Sequence, residues 1–229
     1  MEKSEQISDV EPLQPQEPID ITAPEYYINR ELGLIDFQAR VLAEALSPKY
    51  PLLERVQFLG YVFHNLDEFF MVRVGGLHMQ KAARVLELSI DGLTPAEQLA
   101  QIRKKAEKLY KNAQACWQEE IKPLLEKEGI QVLNYEELSE KQQEAVNSYF
   151  LEMIFPTLTP LAFDPGHPFP HISNLSLNLA VFIEDEHKVQ HFARVKVPAS
   201  LPRFIPIKRS SGSVRKDGTV PYNLSLIHI

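Results

Sequence analysis

At 229 residues, 44% hydrophobic and 24% charged, the chain has the composition of an ordinary globular protein, with length for one large or two small domains. No apolar run reaches membrane-spanning length, and Met1 to Asp20 lacks the basic-then-apolar pattern of a secretory leader. A net charge of −7 argues against a generic nucleic-acid binder, and the single cysteine, Cys116, excludes an internal disulfide and fits a reducing compartment. The charge is uneven. Residues 1–24 hold Glu2, Glu5, Asp9, Glu11, Glu17 and Asp20 against Lys3, so the remainder is nearly neutral and can present a basic pocket to an anion.

Met1 to Pro24 sets Pro12, Pro15, Pro18 and Pro24 among acids and glutamines, which predicts a disordered acidic tail. The first helical pattern runs from Leu34 to Leu46, with Phe37, Val41, Leu42, Leu34 and Ala45 on its apolar face and Ser47-Pro48 at its end. Asn29-Arg30-Glu31 just before it could carry chemistry or be simply the exposed approach to that helix, and the residues alone favour the approach.

Pro51 to Gln80 follows, with Pro51 suited to a first helical position. Phe58, Val62, Phe69 and Val72 are spaced to share one face of a helix. Asn65 falls inside that stripe, where an amide without partners costs about 1–3 kcal/mol. Arg73 projects from the same side as Val62 and Leu66. Two readings are open: Asn65 fixes helix register while Arg73 pairs with Asp67 or Glu68, or both are set out for a ligand.

Gly75-Gly76 predicts a break or kink before His78 to Leu88, and Asp91-Gly92 a turn. Thr94-Pro95-Ala96-Glu97 opens a new helix as a capping box. Leu99, Ile102, Ala106, Leu109, Ala113 and Cys116 then form a heptad-like seam, expected to pack on the two earlier helices and to bury Cys116 as an inert thiol. Pro123 and Gly129 are expected to close that helix. A boundary is placed near Glu128 to Tyr135, with a short strand over Ile130 to Leu133. Ser139 to Gln142 caps a helix through Val146, Tyr149, Phe150 and Met153, stopped by Pro156 and Pro160.

Beyond this point the period changes to two. Leu175, Leu177, Leu179, Val181 and Ile183 alternate with polar or small residues, and Phe192, Arg194 and Lys196 alternate with Ala193, Val195 and Val197, around a hairpin loop at Glu184 to Lys188. The fold class is therefore α+β: an N-terminal antiparallel helical bundle over 25–128, after the tail at 1–24, then an incomplete α+β head over 129–222. An incomplete sheet would leave an open edge and lower solubility beyond residue 128.

His167 and His171 are four apart, but Pro168 and Pro170 forbid the helix that would aim them at one metal. His187 and His191 straddle a loop and a strand, so no metal site is assigned to either pair. No glycine-rich phosphate loop and no nucleophile motif occurs. Lys208, Arg209, Arg215 and Lys216 read as a solvated basic loop that could touch a polyanion.

The strings INREL (Ile28 to Leu32), PLLER (Pro51 to Arg55) and NLDEFFMVR (Asn65 to Arg73), in that order, closely resemble the N-terminal region of bacterial polyphosphate kinases. The segment 130–207, with Thr159-Pro160-Leu161 and Pro198 to Phe204, resembles the start of that family's head domain. The resemblance implies reversible transfer of the terminal phosphate of ATP to inorganic polyphosphate, with Mg2+, in a cytoplasmic protein peripherally associated with membrane. It implies that Asn65 contacts ATP, at an adenine edge or a phosphate oxygen, with Arg73 and Arg30 as weaker supports. It also implies ATP/ADP and polyphosphate as partners and a homo-oligomer formed through the head, while the acidic charge and the lack of basic clusters with interleaved aromatics disfavour nucleic acid. The family's phosphorylated histidine, further arginines and magnesium site lie in C-terminal domains beyond residues 26–207. None of the seven histidines matches that motif, so this chain by itself is expected to be inactive. Residues 223–229 read as a non-native tail, similar to a translated sequencing adapter, which predicts a frame truncated or chimeric from about residue 222. The alternative function is a non-enzymatic interaction module that self-associates along the seam from Leu99 to Cys116.

Overall fold

Among the described residues, three helical rods, one further helix and two small sheets make up the α+β fold. The computed structural model describes residues 20–163, 169, 171–207 and 223–226, the last four through their backbone. The first rod is α1 (Arg30–Leu46). The second is α2 (Leu52–Glu68), which runs through a π-helical turn at Phe69–Val74 into α3 (Gly75–Ala82). The third is α4 (Pro95–Ala115), which passes through a π turn at Cys116–Ile121 into α5 (Lys122–Lys127). Cross-links fix their directions. Arg55 at the start of α2 donates from Nε to the Ala45 carbonyl at the end of α1 (2.7 Å), while Asn65 near the end of α2 meets Gln38 of α1. These two helices are therefore antiparallel. Lys105 bonds Asp36, and Asn29 bonds Gln98, so α4 runs parallel to α1 and antiparallel to α2.

The π turns change which residues face inward. Along the second rod the buried apolar positions are Leu59, Val62, Leu66, Phe69, Val74 and Leu77, with a gap of five across the turn. A π turn adds one residue to a helical turn and so rotates everything beyond it. Val72, assigned to the core face from α-helical spacing, is instead 55% exposed. The third rod repeats the device between Cys116 and Ile121, both buried. Gly75-Gly76 makes no break; the helix continues to Ala82, and Arg84, at φ 55, follows its end. Pro123 does not close its helix either. It sits in the first turn of α5, and Gly129, at φ 85, ends the rod.

Two further helix starts differ from expectation. α1 begins at Arg30 rather than Leu34, and its inward face is Leu32, Ile35, Gln38, Leu42 and Ala45, leaving Leu34 and Phe37 exposed. Pro51 is the residue before α2, with extended backbone, instead of its first helical residue. The Thr94 capping box is present, with Thr94 N–H donating to Glu97 Oε2 (2.8 Å) and Glu97 N–H to Thr94 Oγ1 (3.3 Å).

One apolar core, from Leu32 to Leu125, joins all three rods, with Phe58, Phe63, Leu99 and Trp117 packed around it. The seam residues Ile102, Ala106, Leu109, Ala113 and Cys116 lie within it, so the seam is consumed inside the chain. Burial pushes the Cys116 thiol above its ordinary pKa, which keeps it protonated and weakly nucleophilic.

After β1 (Gln131–Leu133) comes α6 (Glu140–Tyr149), with Ser139 N–H donating to Gln142 Oε1 at 3.0 Å. It too passes into a π turn, at Phe150–Ile154. One sheet has the order β2-β4-β3, from Pro160–Phe163, Gln190–Lys196 and Asn178–Glu184, all antiparallel. Pro160 thus opens an edge strand, where a residue without an N–H is tolerated. The β3–β4 hairpin closes at Asp185, whose carboxylate accepts from the His187 and Val189 N–H groups and meets His191 Nε2 at 2.9 Å. On β4 both Ala193 and Arg194 are buried, so both faces of this strand are covered and the one-sided alternation read there is lost. The other sheet has the order β1-β6-β5, in which β6 (Asn223–Leu226) pairs parallel with β1 and antiparallel with β5 (Phe204–Ile207). Its small core is Leu138, Val146 and Ile207, with Leu133 against them.

Candidate functional site

The site is built where the start of α1 meets the end of α2. Asn29 is the N-cap of α1: its Oδ1 accepts from the Glu31 and Leu32 N–H groups at 3.0 and 3.1 Å. Its Nδ2 donates to Asp91 Oδ1 (2.9 Å) and Gln98 Oε1 (3.2 Å), which ties the helix start to the turn before α4. At 4% exposure it is a buried latch, not the exposed approach that the local sequence suggested.

Two turns along α1, Gln38 takes an inward position and is 7% exposed. Its Oε1 accepts from Asn65 Nδ2 at 3.0 Å. The two amides line a cleft of about 400 Å³ between α1 and the π turn, walled by Leu34, Phe37, Phe69 and Val72. This volume lies within the usual span of small-molecule sites. Phe37 and Val72 stay exposed on its rim, and Arg40 lies 5.6 Å from the Phe37 ring centre.

Arg73, within the π turn, lines the same cleft. Its Nε lies 3.8 Å from Glu31 Oε2, an oxygen shielded from solvent that accepts no hydrogen bond among the described residues. Arg73 therefore pairs with Glu31 across the helix pair, rather than with Asp67 or Glu68 on its own rod. Arg30 is exposed on the first turn of α1 and is not among the cleft-lining residues. A larger, mainly apolar groove of about 840 Å³ lies on the opposite side of the second rod, against α4, between Phe63, Phe70 and Tyr110.

Gln38 and Glu31 are the site residues that reading the sequence missed. For Gln38 a signal existed: an amide between Ile35 and Leu42 in the apolar repeat of α1. Glu31 stood in the Asn29-Arg30-Glu31 string, but its pairing with Arg73 on another rod is beyond local spacing.

Elsewhere, among the described residues, no three His, Cys, Asp or Glu side chains converge as a cation site. The carbonyl of His171 accepts from Arg194 Nη1 at 2.9 Å. His167, the basic residues Lys208, Arg209, Arg215 and Lys216, and residues 1–19 lie outside the described residues.

Comparison with known proteins accounts for this architecture. Residues 27–133 match the family model of the polyphosphate kinase N-terminal domain, and residues 141–226 that of the polyphosphate kinase middle domain. The chain belongs to the polyphosphate kinase family. It is 50% identical over 195 residues to the polyphosphate kinase of Prosthecochloris aestuarii, a match covering 84% of this chain and 27% of that protein. It is 48% identical over 192 residues to that of Thermosynechococcus vestitus, covering 83% and 26%. The crystal structure of the polyphosphate kinase of Porphyromonas gingivalis superposes with a TM-score of 0.64 at 26% identity, over 86% of this chain and 28% of that one. The chain thus spans about a quarter of the length of the polyphosphate kinases it matches. The cleft between α1 and α2 lies within the part matched to the N-terminal domain.

Proposed function

We propose that this chain is the N-terminal part of an enzyme that reversibly transfers the terminal phosphate of ATP to inorganic polyphosphate, and that the α1–α2 cleft contacts the ATP. Family membership supports the reaction class and, with it, ATP, ADP and polyphosphate as substrates. One observation carries the site: Asn65 lines a cleft with its donor engaged by Gln38 and its Oδ1 free of any partner among the described residues. A carbonyl oxygen held in that way suits a ligand N–H. Arg73 supports the ligand from the rim, with Glu31 holding part of its charge.

Phosphoryl transfer rests on positioned positive charge around the moving group. In this reading Mg2+ is held by the family's C-terminal domains. Residues 1–229 produced alone should bind nucleotide without transferring phosphate. The helical part over 25–128, the head over 129–222, association of copies through that head, and a cytoplasmic setting with peripheral membrane association belong to the same proposal. Among the described residues no helix is long and apolar enough to cross a membrane.

Calorimetric titration of ATP into the full chain tests the cleft. Asn65→Ala should weaken binding about five- to tenfold, the worth of one hydrogen bond. Unchanged affinity would remove the cleft from the reading. ATP synthesis from polyphosphate and ADP by residues 1–229 alone would overturn the expectation of inactivity.

A further inference from the structure

We infer that the acidic N-terminal segment of this chain, residues 5–19, docks as an extended polyproline helix in the apolar groove between the second rod and α4. That groove, of about 840 Å³, lies on the other side of the second rod from the α1–α2 cleft. Its walls are aromatic. Phe63 and Tyr110 meet edge to face with ring centres 5.6 Å apart, and Phe70 and Tyr110 remain 42% and 48% exposed. Lys81, Arg103 and Lys111 line it with Asp67 and Glu107. Arg103 pairs with Glu107 at 2.9 Å, while Lys81 and Lys111 make no salt bridge among the described residues. The two lysines therefore favour an anionic occupant.

Residues 5–19 lie outside the described residues, and their sequence carries a period of three. Ile7, Val10, Leu13 and Ile19 are separated by multiples of three, as are Pro12, Pro15 and Pro18, and as are Glu5, Glu11 and Glu17. A polyproline helix has three residues per turn, so the three sets fall on three separate faces: apolar, proline and acidic. The spacing of an α-helix or a strand would scatter them. Such helices cost little to order and are recognised by grooves lined with aromatic rings. The segment has too few apolar residues for a core of its own, so its apolar face needs another surface. Position and reach agree. A Cβ added at Gly92 would sit 3.5 Å from Pro24 Cβ, so the segment leaves the fold beside the turn before α4. The groove's lining on that helix runs from Ala96 to Gln114. Over that stretch α4 rises about 27 Å, which about nine residues of polyproline helix cover. Tethered so close, the chain's own segment has an effective concentration on the order of millimolar, ahead of any second copy.

The test compares methyl NMR spectra of the full chain with those of the full chain carrying Ile7→Asp, Val10→Asp and Leu13→Asp together. All three substitutions lie outside the rods, and thermal melts of both proteins check that the rods stay folded. Docking predicts displaced signals for Val74, Leu99 and Ala100, which line the groove, and coincident ones for Leu42 and Ala45, in the core under α1. Identical spectra overturn the inference, as do differences spread evenly over groove and core. A peptide of residues 1–20, added to the substituted chain, should return the groove signals to their native positions. The same peptide with the three aspartates should bind at least about tenfold more weakly, having lost its apolar face. Equal binding of the two peptides overturns the contact. In the native chain the signals should hold their positions on about tenfold dilution, as a tethered contact does. Signals that revert on dilution would assign the groove to the segment of a second copy and overturn docking within one chain. Raising NaCl to about 0.5 M should weaken the native peptide severalfold, and an affinity indifferent to salt overturns the part given to Lys81 and Lys111.

Discussion

The helical rods and the two sheets solve the same problem with different means. The rods share one continuous core from Leu32 to Leu125, and the polar links between them, Arg55 to Ala45, Asn29 to Gln98 and Asn65 to Gln38, sit beside it. The sheets have three strands each, and the described core beside β1 and β5 is Leu138, Val146, Ile207 and Leu133. On the β3–β4 hairpin Phe182 is 71% exposed, and Ile183 is exposed beside it. A three-stranded sheet has two open edges and little depth to bury. The stability of the chain should therefore reside in the rods, with the α1–α2 cleft placed on the more rigid part.

Four substitutions probe that contrast. Ile102→Ala, at a position 1% exposed, should cost about 3 kcal/mol in urea unfolding, while Phe182→Ala on the hairpin should cost less than about 0.5 kcal/mol. Equal losses would mean that the sheets share the burden. Asn29→Ala removes a cap and leaves Asp91 and Gln98 without their donor; about 2 kcal/mol is expected, read as a shift in the same unfolding curve. A neutral result would make the latch ornamental. Thr94→Ala should cost about 1 kcal/mol through loss of the capping box, and hydrogen exchange should rise first in the opening turn of α4.

The smallest effect concerns acid. Hydrogen bonds from Thr94 hold the Glu97 carboxyl below its usual range, and the bond to His191 does the same for Asp185. A depressed folded value stabilises the protein fully above the ordinary carboxylate pKa, and that stabilisation disappears as pH falls through the folded value. His191→Ala should flatten the acid limb of stability in the hairpin without touching the rods. A uniform change across the molecule would contradict the division drawn above.

What could be read from the sequence was mostly local. The capping boxes at Thr94 and Ser139, the turn at Gly92, the seam on α4 and the hairpin around Asp185 each depend on residues within a few positions of one another. The inward face of the second rod could not be read past Phe69. Spacing rules assume 3.6 residues per turn, and a π turn between Phe69 and Val74 breaks that assumption without a compositional sign. Strands β2 and β5 contain Pro160 and Pro206 and are four residues long, too short to show alternation. At the site, Asn65 stood out as an amide in an apolar stripe, yet its partner Gln38 lies 27 positions away on another helix. The ion pair of Arg73 with Glu31 was hidden for the same reason.

The parallel pairing of β1 with β6 sets an order of events during synthesis. Val132 waits for Leu224, about ninety residues downstream, before the pair can form. By then every residue of the core from Leu32 to Leu125 has left the ribosome, and each of its contacts is available without help from the later strands. The helices can thus be in place while β1 still lacks its neighbour. For that interval a short strand, Gln131–Leu133, stands without its parallel neighbour beside an assembled bundle.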